Sequence, residues 1–295
     1  MSGGSRIEQA AALIRAGRLV AFPTETVYGL GANALDALAV ARIFAAKGRP
    51  RTSPLIVHVD TVAMARGLAA EWSEQAELLA ARYWPGPLTL VVPKLAVVPD
   101  IVTAGLGTVG LRMPAHPVAL ELIRAAGVPI AAPSANRFTE LSPTAAAHVP
   151  EQLADMTLDG GPARVGIEST VLSLAGPATL LRPGVIPVSE LEALVGPVAI
   201  GATPGKGAHA APGMHARHYQ PATRLYLGAG PGEGRGAQLR LGKEMPADPL
   251  AYAAVLYETL HRLDAEGLEW IAVEVPPDTP EWAGVLDRLR HAAAG

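Results

Sequence analysis

At 295 residues the chain is long for one domain and fits one large domain plus a small one; 49% hydrophobic and only 17% charged residues exclude a disordered chain and leave a sizeable core. With 24 basic and 27 acidic side chains the net charge is -3, so no global basic field advertises nucleic acid, and a weak, local RNA contact is the most that this balance leaves room for. Cysteine is absent, which excludes disulfides, thiolate catalysis and zinc–cysteine sites. In chain order, residues 1–20 lack the basic-then-apolar layout of a signal peptide, and runs such as Leu88–Val92 are too short to span a bilayer, so no membrane partner and a cytoplasmic location are expected.

Ser5-Arg6-Ile7-Glu8 has the pattern of a capping box opening a helix that Gly17 stops, with Ile7, Ala10, Ala11 and Ile14 on one face. The apolar run Leu19–Phe22 reads as a buried strand and enters Pro23-Thr24-Glu25-Thr26-Val27-Tyr28-Gly29-Leu30-Gly31. There the threonines and Tyr28 supply hydroxyls, while Gly29 and Gly31 permit a positive φ or a close approach to a ligand. A decorated turn with no ligand would carry the same residues.

Asp36 caps a second helix through Ala46, which ends at Lys47-Gly48 and delivers Lys47, Arg49 and Arg51 into a loop. Leu55–Val59 is a strand, followed by helices over 62–70 and 73–83, the second broken by Trp84-Pro85-Gly86-Pro87. Strands are predicted at 88–92 and 108–111, a helix at 117–126, and a strand at 129–132 entering Pro133-Ser134-Ala135-Asn136. A helix over Thr144–Leu153 and strands near 156–158, 170–174 and 179–182 complete the alternation, which indicates an α/β protein with a mixed sheet. From Gly201 to Pro221 the composition turns to Gly, Pro, Ala and His without periodicity and reads as a linker. Beyond it, strands at 223–227, 238–241 and 268–275 and helices at 249–265 and 282–292 suffice for a small α/β domain. The predicted division is 1–200, 201–221 and 222–295.

Lys47, Arg49, Arg112 and Arg182 each sit at the edge of a predicted element, a placement that suits anion binding but that ordinary surface charges share. Ser134, Asn136 and Glu168-Ser169-Thr170 follow or begin strands and suit either phosphate oxygens or helix and turn caps. His58, inside a strand pattern, fits a satisfied core histidine as well as a ligand or base. No Walker A, GxGxxG after the first strand, or HExxH occurs, so ATP would not bind through a P-loop.

The stretches Pro23–Gly31, Lys47-Gly48-Arg49-Pro50, Pro54–His58, Trp84–Thr89, Arg112-Met113-Pro114, Ala132–Asn136, Glu168–Val171, Leu181–Gly184 and Pro212-Gly213-Met214 with Arg217-His218-Tyr219 occur in one order. Together they resemble the two-domain form of the threonylcarbamoyl-AMP synthases, over nearly the whole chain to about Pro221. The resemblance implies a YrdC-like twisted mixed sheet around a large basic cavity, linked to a small Rossmann-like α/β domain. It also implies the condensation of L-threonine, bicarbonate and ATP to threonylcarbamoyl-AMP and pyrophosphate, for a downstream tRNA-modifying threonylcarbamoyl transferase.

Carried over residue by residue, Lys47, Arg49, Ser134, Asn136 and Arg182 match nucleotide-phosphate contacts, with Ser53, Thr108, Ser142 and Tyr219 also on the ATP side. Lys47 and Arg49 are the implied catalytic pair. Thr26, His58, Arg112 and Ser169 match the threonine side. Magnesium would accompany ATP, with Glu25 or Glu168 as candidates to hold it through water; no metal ligands are assigned. The chain departs from the family pattern at Arg137–Leu141, where a Ser-Gly pair and a basic residue are usual, and at His215-Ala216, where Lys-Tyr is usual.

The cluster Arg217-His218-Tyr219 suggests that the linker closes over the cleft as a lid with Tyr219 on the nucleotide; simple packing of Tyr219 between the domains is the alternative. A double-stranded RNA-binding module and a carbamoyl transferase of the hydrogenase-maturation type are competing readings. The net charge opposes the first, and the linker and C-terminal domain oppose the second.

Overall fold

A computed structural model of the protein describes residues 3–201 and 218–294, with side chains from residue 6 onward. The elements are α1 (Gly3–Arg15), β1 (Val20–Phe22), β2 (Gly29–Asn33), α2 (Ala37–Lys47), β3 (Ile56–His58), α3 (Val62–Arg66), α4 (Glu74–Tyr83), β4 (Leu88–Pro93), β5 (Thr108–Arg112) and α5 (Pro117–Ala126). They continue with β6 (Ile130–Ala131), β7 (Met156–Thr157), β8 (Thr170–Ser173), β9 (Thr179–Arg182), α6 (Val188–Val195), β10 (Ala199–Ile200), β11 (Arg224–Leu227), β12 (Gly236–Leu239), α7 (Pro249–Ala265), β13 (Trp270–Val273) and α8 (Ala283–Ala293).

The first ten strands form one mixed sheet in the order β10-β9-β8-β4-β5-β3-β6-β2-β1-β7, and the last three form a second sheet, β11-β13-β12, whose pairs are parallel. Local chemistry accounts for most element ends. Asp36 accepts from the amides of Leu38 and Ala39 (2.8 and 3.2 Å) to open α2, and Gly48 closes it at φ 65°. Asp248 caps α7 through the Ala251 amide, with Pro249 in the first turn where no amide hydrogen is needed.

Several boundaries differ from those read in the sequence. Helix α1 begins at Gly3, two residues before the Ser5 cap position. Residues 144–153 do not form a helix: only a 3-10 turn at Ala146–His148 survives, because Pro150 biases Val149 to extended backbone (ψ 123°) and Ala145 is extended as well. Helix α6 and strand β10 extend the larger sheet's domain beyond the last element predicted for it. The linker and its Arg217, Met214 and His215-Ala216 positions fall largely outside the described residues; His218 to Pro221 lie within them.

Gly29 and Gly31 lie in β2, paired antiparallel with Phe22 and Val20 of β1, and neither has a positive φ. Gly31 is required by packing instead. A Cβ there would sit 2.7 Å from the Phe22 ring and 2.8 Å from Ile130 Cγ2. Gly31→Ala is therefore expected to cost about 1–3 kcal/mol through overpacking. Urea unfolding checks it, and an unchanged midpoint would mean that the Phe22 ring moves aside freely.

The main core lies under the large sheet, and a second core belongs to the small one. The second core does not stop at the small sheet. Val27, Leu141 and Ile167 from the larger domain join Tyr219, Leu256, Leu260 and Leu289 in it. The two parts of the chain thus share a core, at the level of the loop after β1.

His148 and His261 stack across this contact with ring centroids 4.0 Å apart, and His261 Nε2 donates to the Ser142 carbonyl at 3.1 Å. Burial, then the neighbouring His261, brings His148 down to about 4. His261 is also lowered, by burial first, with the Ser142 carbonyl, Asp264 and Glu140 pulling the other way. A histidine lowered on folding contributes stability that is full above its unfolded value near 6.5 and is lost as pH falls through that value. Thermal stability is expected to fall from pH 7 toward pH 4–5, less steeply in a His148→Gln/His261→Gln variant. Parallel pH profiles for the two chains would remove the pair from this role.

Candidate active site

A cleft opens where the loop after β1, the ends of β3, β5, β6 and β9, the start of β8 and the stretch at His218-Tyr219 converge. The loop Pro23–Tyr28 forms one wall and is braced internally. Thr24 Oγ1 donates to the Val27 carbonyl (2.7 Å) and accepts from the Thr26 and Val27 amides (3.2 Å each), while the Thr24 and Thr26 hydroxyls are 2.9 Å apart. The Tyr28 amide donates to the Pro143 carbonyl at 2.8 Å, tying this wall to the loop bearing Ser142.

The basic side chains are buried, not solvated. Arg49 is 6% exposed, and its Nη2 donates to Ser53 Oγ (2.5 Å) and to the Pro54 carbonyl (3.1 Å), so Ser53 acts on the cleft through Arg49. Burial, offset in part by Tyr219, brings its pKa down to about 10. Lys47 is 3% exposed and stands just behind the wall, donating from Nζ to the carbonyls of Ser134 (2.6 Å) and Asn136. Burial, and then Arg49, hold it well below the usual lysine range. Asn136 is likewise behind the wall, its Nδ2 donating to the carbonyls of Arg137 and Glu140 (2.8 Å each), whereas Ser134 lines the cleft.

Arg182, ending β9, donates from Nε to the Ser169 carbonyl (3.0 Å) and from Nη2 to Ser169 Oγ (3.1 Å); Ser169 Oγ also meets Thr89 Oγ1 at 2.8 Å. On the other side β3 and β5 pair in register, His58 opposite Arg112, which brings both to the cleft. Burial and the adjacent Arg112 take His58 down to about 3, so it is a neutral imidazole; its Nδ1 has no hydrogen-bond partner, and Phe22 meets its ring edge-on at 5.9 Å. Arg112 Nη2 lies 2.8 Å from Glu25 Oε1, both side chains 4% exposed.

Tyr219 lines the cleft and packs in the second core at once, with φ 59°. Its hydroxyl is buried without a hydrogen-bond partner, as are Arg49 Nε and His218 Nδ1. Burial, and then Glu168, push the Tyr219 phenol up to about 12. Of the remaining sequence-derived candidates, Ser142 donates its hydroxyl to Glu168 Oε1 instead of facing the cleft. Thr108 lines a separate small recess with Thr89 and Gly110, and Ile56 borders both spaces.

Glu25 and Glu168 are each paired with a guanidinium. Glu25 faces Arg112, and Glu168 Oε2 accepts from Arg288 Nε at 2.7 Å and from the Tyr257 hydroxyl at 3.1 Å. Among the described residues no group of three or more His, Asp or Glu side chains is arranged to hold a metal ion. The donor set therefore does not fit a resident metal.

A cleft of buried cations whose walls end in unpaired donors is built for an anionic ligand. The family model described as telomere recombination matches residues 12–184, and the one described as threonylcarbamoyl-AMP synthase, C-terminal domain, matches residues 186–294. The chain belongs to the threonylcarbamoyl-AMP synthase family.

The chain is 44% identical to the threonylcarbamoyl-AMP synthase of Pyrococcus abyssi over 319 aligned residues, covering 98% of this chain and 94% of that one. It is 41% identical to the Bacillus subtilis enzyme of the same name, over 98% and 93% of the two chains. The crystal structure of P. abyssi Sua5 complexed with L-threonine superposes with a TM-score of 0.92 at 42% identity, covering 99% of this chain and 95% of that one. Membership makes the chain an enzyme of tRNA processing, with nucleotidyl transfer as its reaction type.

Sequence reading missed the Arg112–Glu25 pair, the lining role of His218 and the whole Glu168–Arg288–Tyr257 cluster. A signal for the last was present. Val285, Leu289 and Ala292 mark the buried face of α8, and Arg288 falls on that face, where an arginine without a partner would be prohibitive.

Proposed function

We propose that the chain condenses L-threonine, bicarbonate and MgATP into threonylcarbamoyl-AMP and pyrophosphate, and that the cleft around Arg49, Arg112 and Arg182 is where it does so. The observation that carries this assignment is the convergence of those buried cations with the unpaired Arg49 Nε, His218 Nδ1 and Tyr219 hydroxyl, since each lacks a partner that a polyphosphate or its adenosine can supply.

In this reading the free threonine amine adds to the carbon of bicarbonate, or of CO2 derived from it, and the amine proton leaves with the displaced hydroxide as water, to give an N-carboxylate. A carboxylate oxygen then attacks the α-phosphorus, the bond to the bridging oxygen of the β-phosphate breaks, and that oxygen leaves with pyrophosphate. No covalent enzyme intermediate is needed. The chain's contribution is positioning and charge neutralisation. Arg49 and Arg182 clamp phosphate oxygens, Lys47 stiffens the Ser134–Asn136 wall while adding positive potential, and Tyr219 donates its free hydroxyl to the nucleotide. Arg112 takes the threonine carboxylate on the side facing away from Glu25. Neutral His58 offers Nδ1 to the threonine hydroxyl.

The product is a mixed anhydride, which a tRNA-modifying threonylcarbamoyl transferase would consume. A cytoplasmic location for this chain follows from its family's part in tRNA processing; no helix among the described residues is long and apolar enough to cross a membrane.

The test is pyrophosphate release from ATP, bicarbonate and magnesium with L-threonine, L-serine or no amino acid. Threonine-dependent release is expected, and threonine-independent release or none would overturn the assignment. A recess for the γ-methyl beside Thr26 and His58 should favour threonine over serine by roughly tenfold in kcat/KM, the worth of about one buried methyl. Equal use of serine would mean that the methyl is not enclosed.

A further inference from the structure

Arg288 is the largest fully buried side chain among the described residues, yet it belongs to α8 of the small domain and does not itself line the cleft. Its guanidinium spans two loops of the larger domain. Nε donates to Glu168 Oε2 (2.7 Å), Nη2 to the Glu168 carbonyl (3.2 Å) and Nη1 to the Pro183 carbonyl (3.1 Å). Each loop carries a cleft residue next in sequence: Ser169 follows Glu168, and Arg182 precedes Pro183. Arg182 and Ser169 in turn touch each other through both the Ser169 carbonyl and its hydroxyl.

The remaining contacts make this bridge stiff. A Cβ on Gly284 would lie 2.5 Å from the Gly184 carbonyl oxygen, so the first turn of α8 rests directly on the loop after β9. The Arg288 guanidinium also lies over the Tyr219 ring, 5.1 Å from its centroid, and Glu168 accepts from Ser142 and Tyr257 as well. A cation supplied by the second domain thus fixes three pieces of the cleft at once: the Ser169 loop, the Arg182 loop and the Tyr219 ring.

Resting on the condensation proposed above, we infer that Arg288 is a positioning residue. It sets the Ser169 loop, on the threonine side, against the Arg182 loop, on the nucleotide side, and through it the small domain bears on the reaction. A carboxylate attacking the α-phosphorus in line is sensitive to the relative placement of two substrates more than to the hold on either one. A bidentate planar fork reaching two loops performs that task, and an ammonium, a point charge, reaches one.

The experiment uses full-length chains: wild type, Arg288→Lys, the pair Glu168→Gln/Arg288→Met, which removes both buried charges together, and Leu263→Ala, a core truncation in the same domain as a stability control. Turnover is measured with each substrate varied, and threonine is titrated by calorimetry with and without a non-hydrolysable ATP analogue. Arg288→Lys is expected to lower kcat by roughly tenfold or more with each KM within about threefold, and to lose most of any gain in threonine affinity brought by the analogue. The charge-free pair, which leaves neither Glu168 nor Arg288 as a buried charge and is expected to fold, should show the same loss. Leu263→Ala should melt earlier while keeping kcat per folded molecule.

Wild-type kcat and coupling in both Arg288 variants, or a loss in Leu263→Ala equal to theirs, would overturn the positioning role. If wild type itself gave no threonine-dependent pyrophosphate, the reaction reading would fall. Analogue–threonine coupling that vanished with Arg288 would then still support the positioning role, and coupling that persisted would overturn it.

Discussion

Glu168→Ala is expected to destabilise the protein by about 3 kcal/mol, the low end of the cost of breaking a buried pair, because it strips one of two carboxylate partners from an arginine with no access to solvent and leaves only Asp287, 2.6 Å from Nη1. Arg288 is 0% exposed, and Glu168 is its salt-bridge partner at 2.7 Å in addition to accepting from Ser142 and Tyr257. Burial alone would push the Glu168 carboxyl up, but Arg288, Arg182 and the Ser142 hydroxyl together hold it below the ordinary glutamate range. A carboxylate lowered on folding contributes stability that is present above its unfolded value and is lost as pH falls through the folded one, so the network should also weaken on acidification below about pH 4.5. Urea unfolding of Glu168→Ala beside Glu168→Gln/Arg288→Met tests the cause. The double variant should recover most of the loss, since it leaves no charge buried alone. A penalty under about 1 kcal/mol for Glu168→Ala would mean that water reaches Arg288.

The second large effect is on the ligand. Arg182→Ala is expected to weaken ATP binding by roughly tenfold to a hundredfold, the loss of a charge-assisted contact worth about 1.5–3 kcal/mol. From the sequence, with Arg182 at a strand end, the fold would be little affected. The structure adds a cost there, because the Ser169 carbonyl and hydroxyl both lose a donor in a buried setting. Arg182→Ala should therefore melt below wild type even without ATP, and ATP should raise its melting temperature less than it raises that of wild type. Calorimetric titration beside melting curves separates the two effects; an unchanged dissociation constant would remove Arg182 from the nucleotide site.

Elements that carry their own caps are legible in the amino-acid sequence. Asp36 and Gly48 bound α2, Pro117 and Gly127 bound α5, and Asp248 with Pro249 opens α7, each through hydrogen bonds or backbone conformations settled within a few residues. Residues 144–153 read as a helix only while their alanine-rich middle is weighed above Pro150, and the proline wins. Gly31 misleads for a related reason: a glycine's conformational freedom is visible in a sequence, but the ring of Phe22 pressing on its α-carbon is not.

The same division runs through the site. Thr26, Arg49, His58, Arg112, Ser134, Ser169, Arg182 and Tyr219 stand in motifs that resemble one family in order, and all of them line one cleft. Their placement in loops, at strand ends or just past a helix is a local property, and motif order preserves it. What each side chain bonds to is decided only by folding. Arg112 meets Glu25, Ser142 turns away to Glu168, Lys47 stands behind the Ser134 wall, and Thr108 opens onto a neighbouring recess.

The largest such case is Arg288, which meets Glu168 across 120 positions of chain. Periodicity along α8 shows that this arginine faces inward, because helical spacing is set by backbone geometry. The identity of its partner is a matter of long-range packing, in which α8 touches Gly184 closely enough to exclude a methyl group. Composition, caps and motif order thus suffice for the fold class, the family and the eight cleft residues just named. The dependence of that cleft on the second domain appears only when the two parts of the chain are packed on a shared core, since the sequence records no distance between residues that far apart.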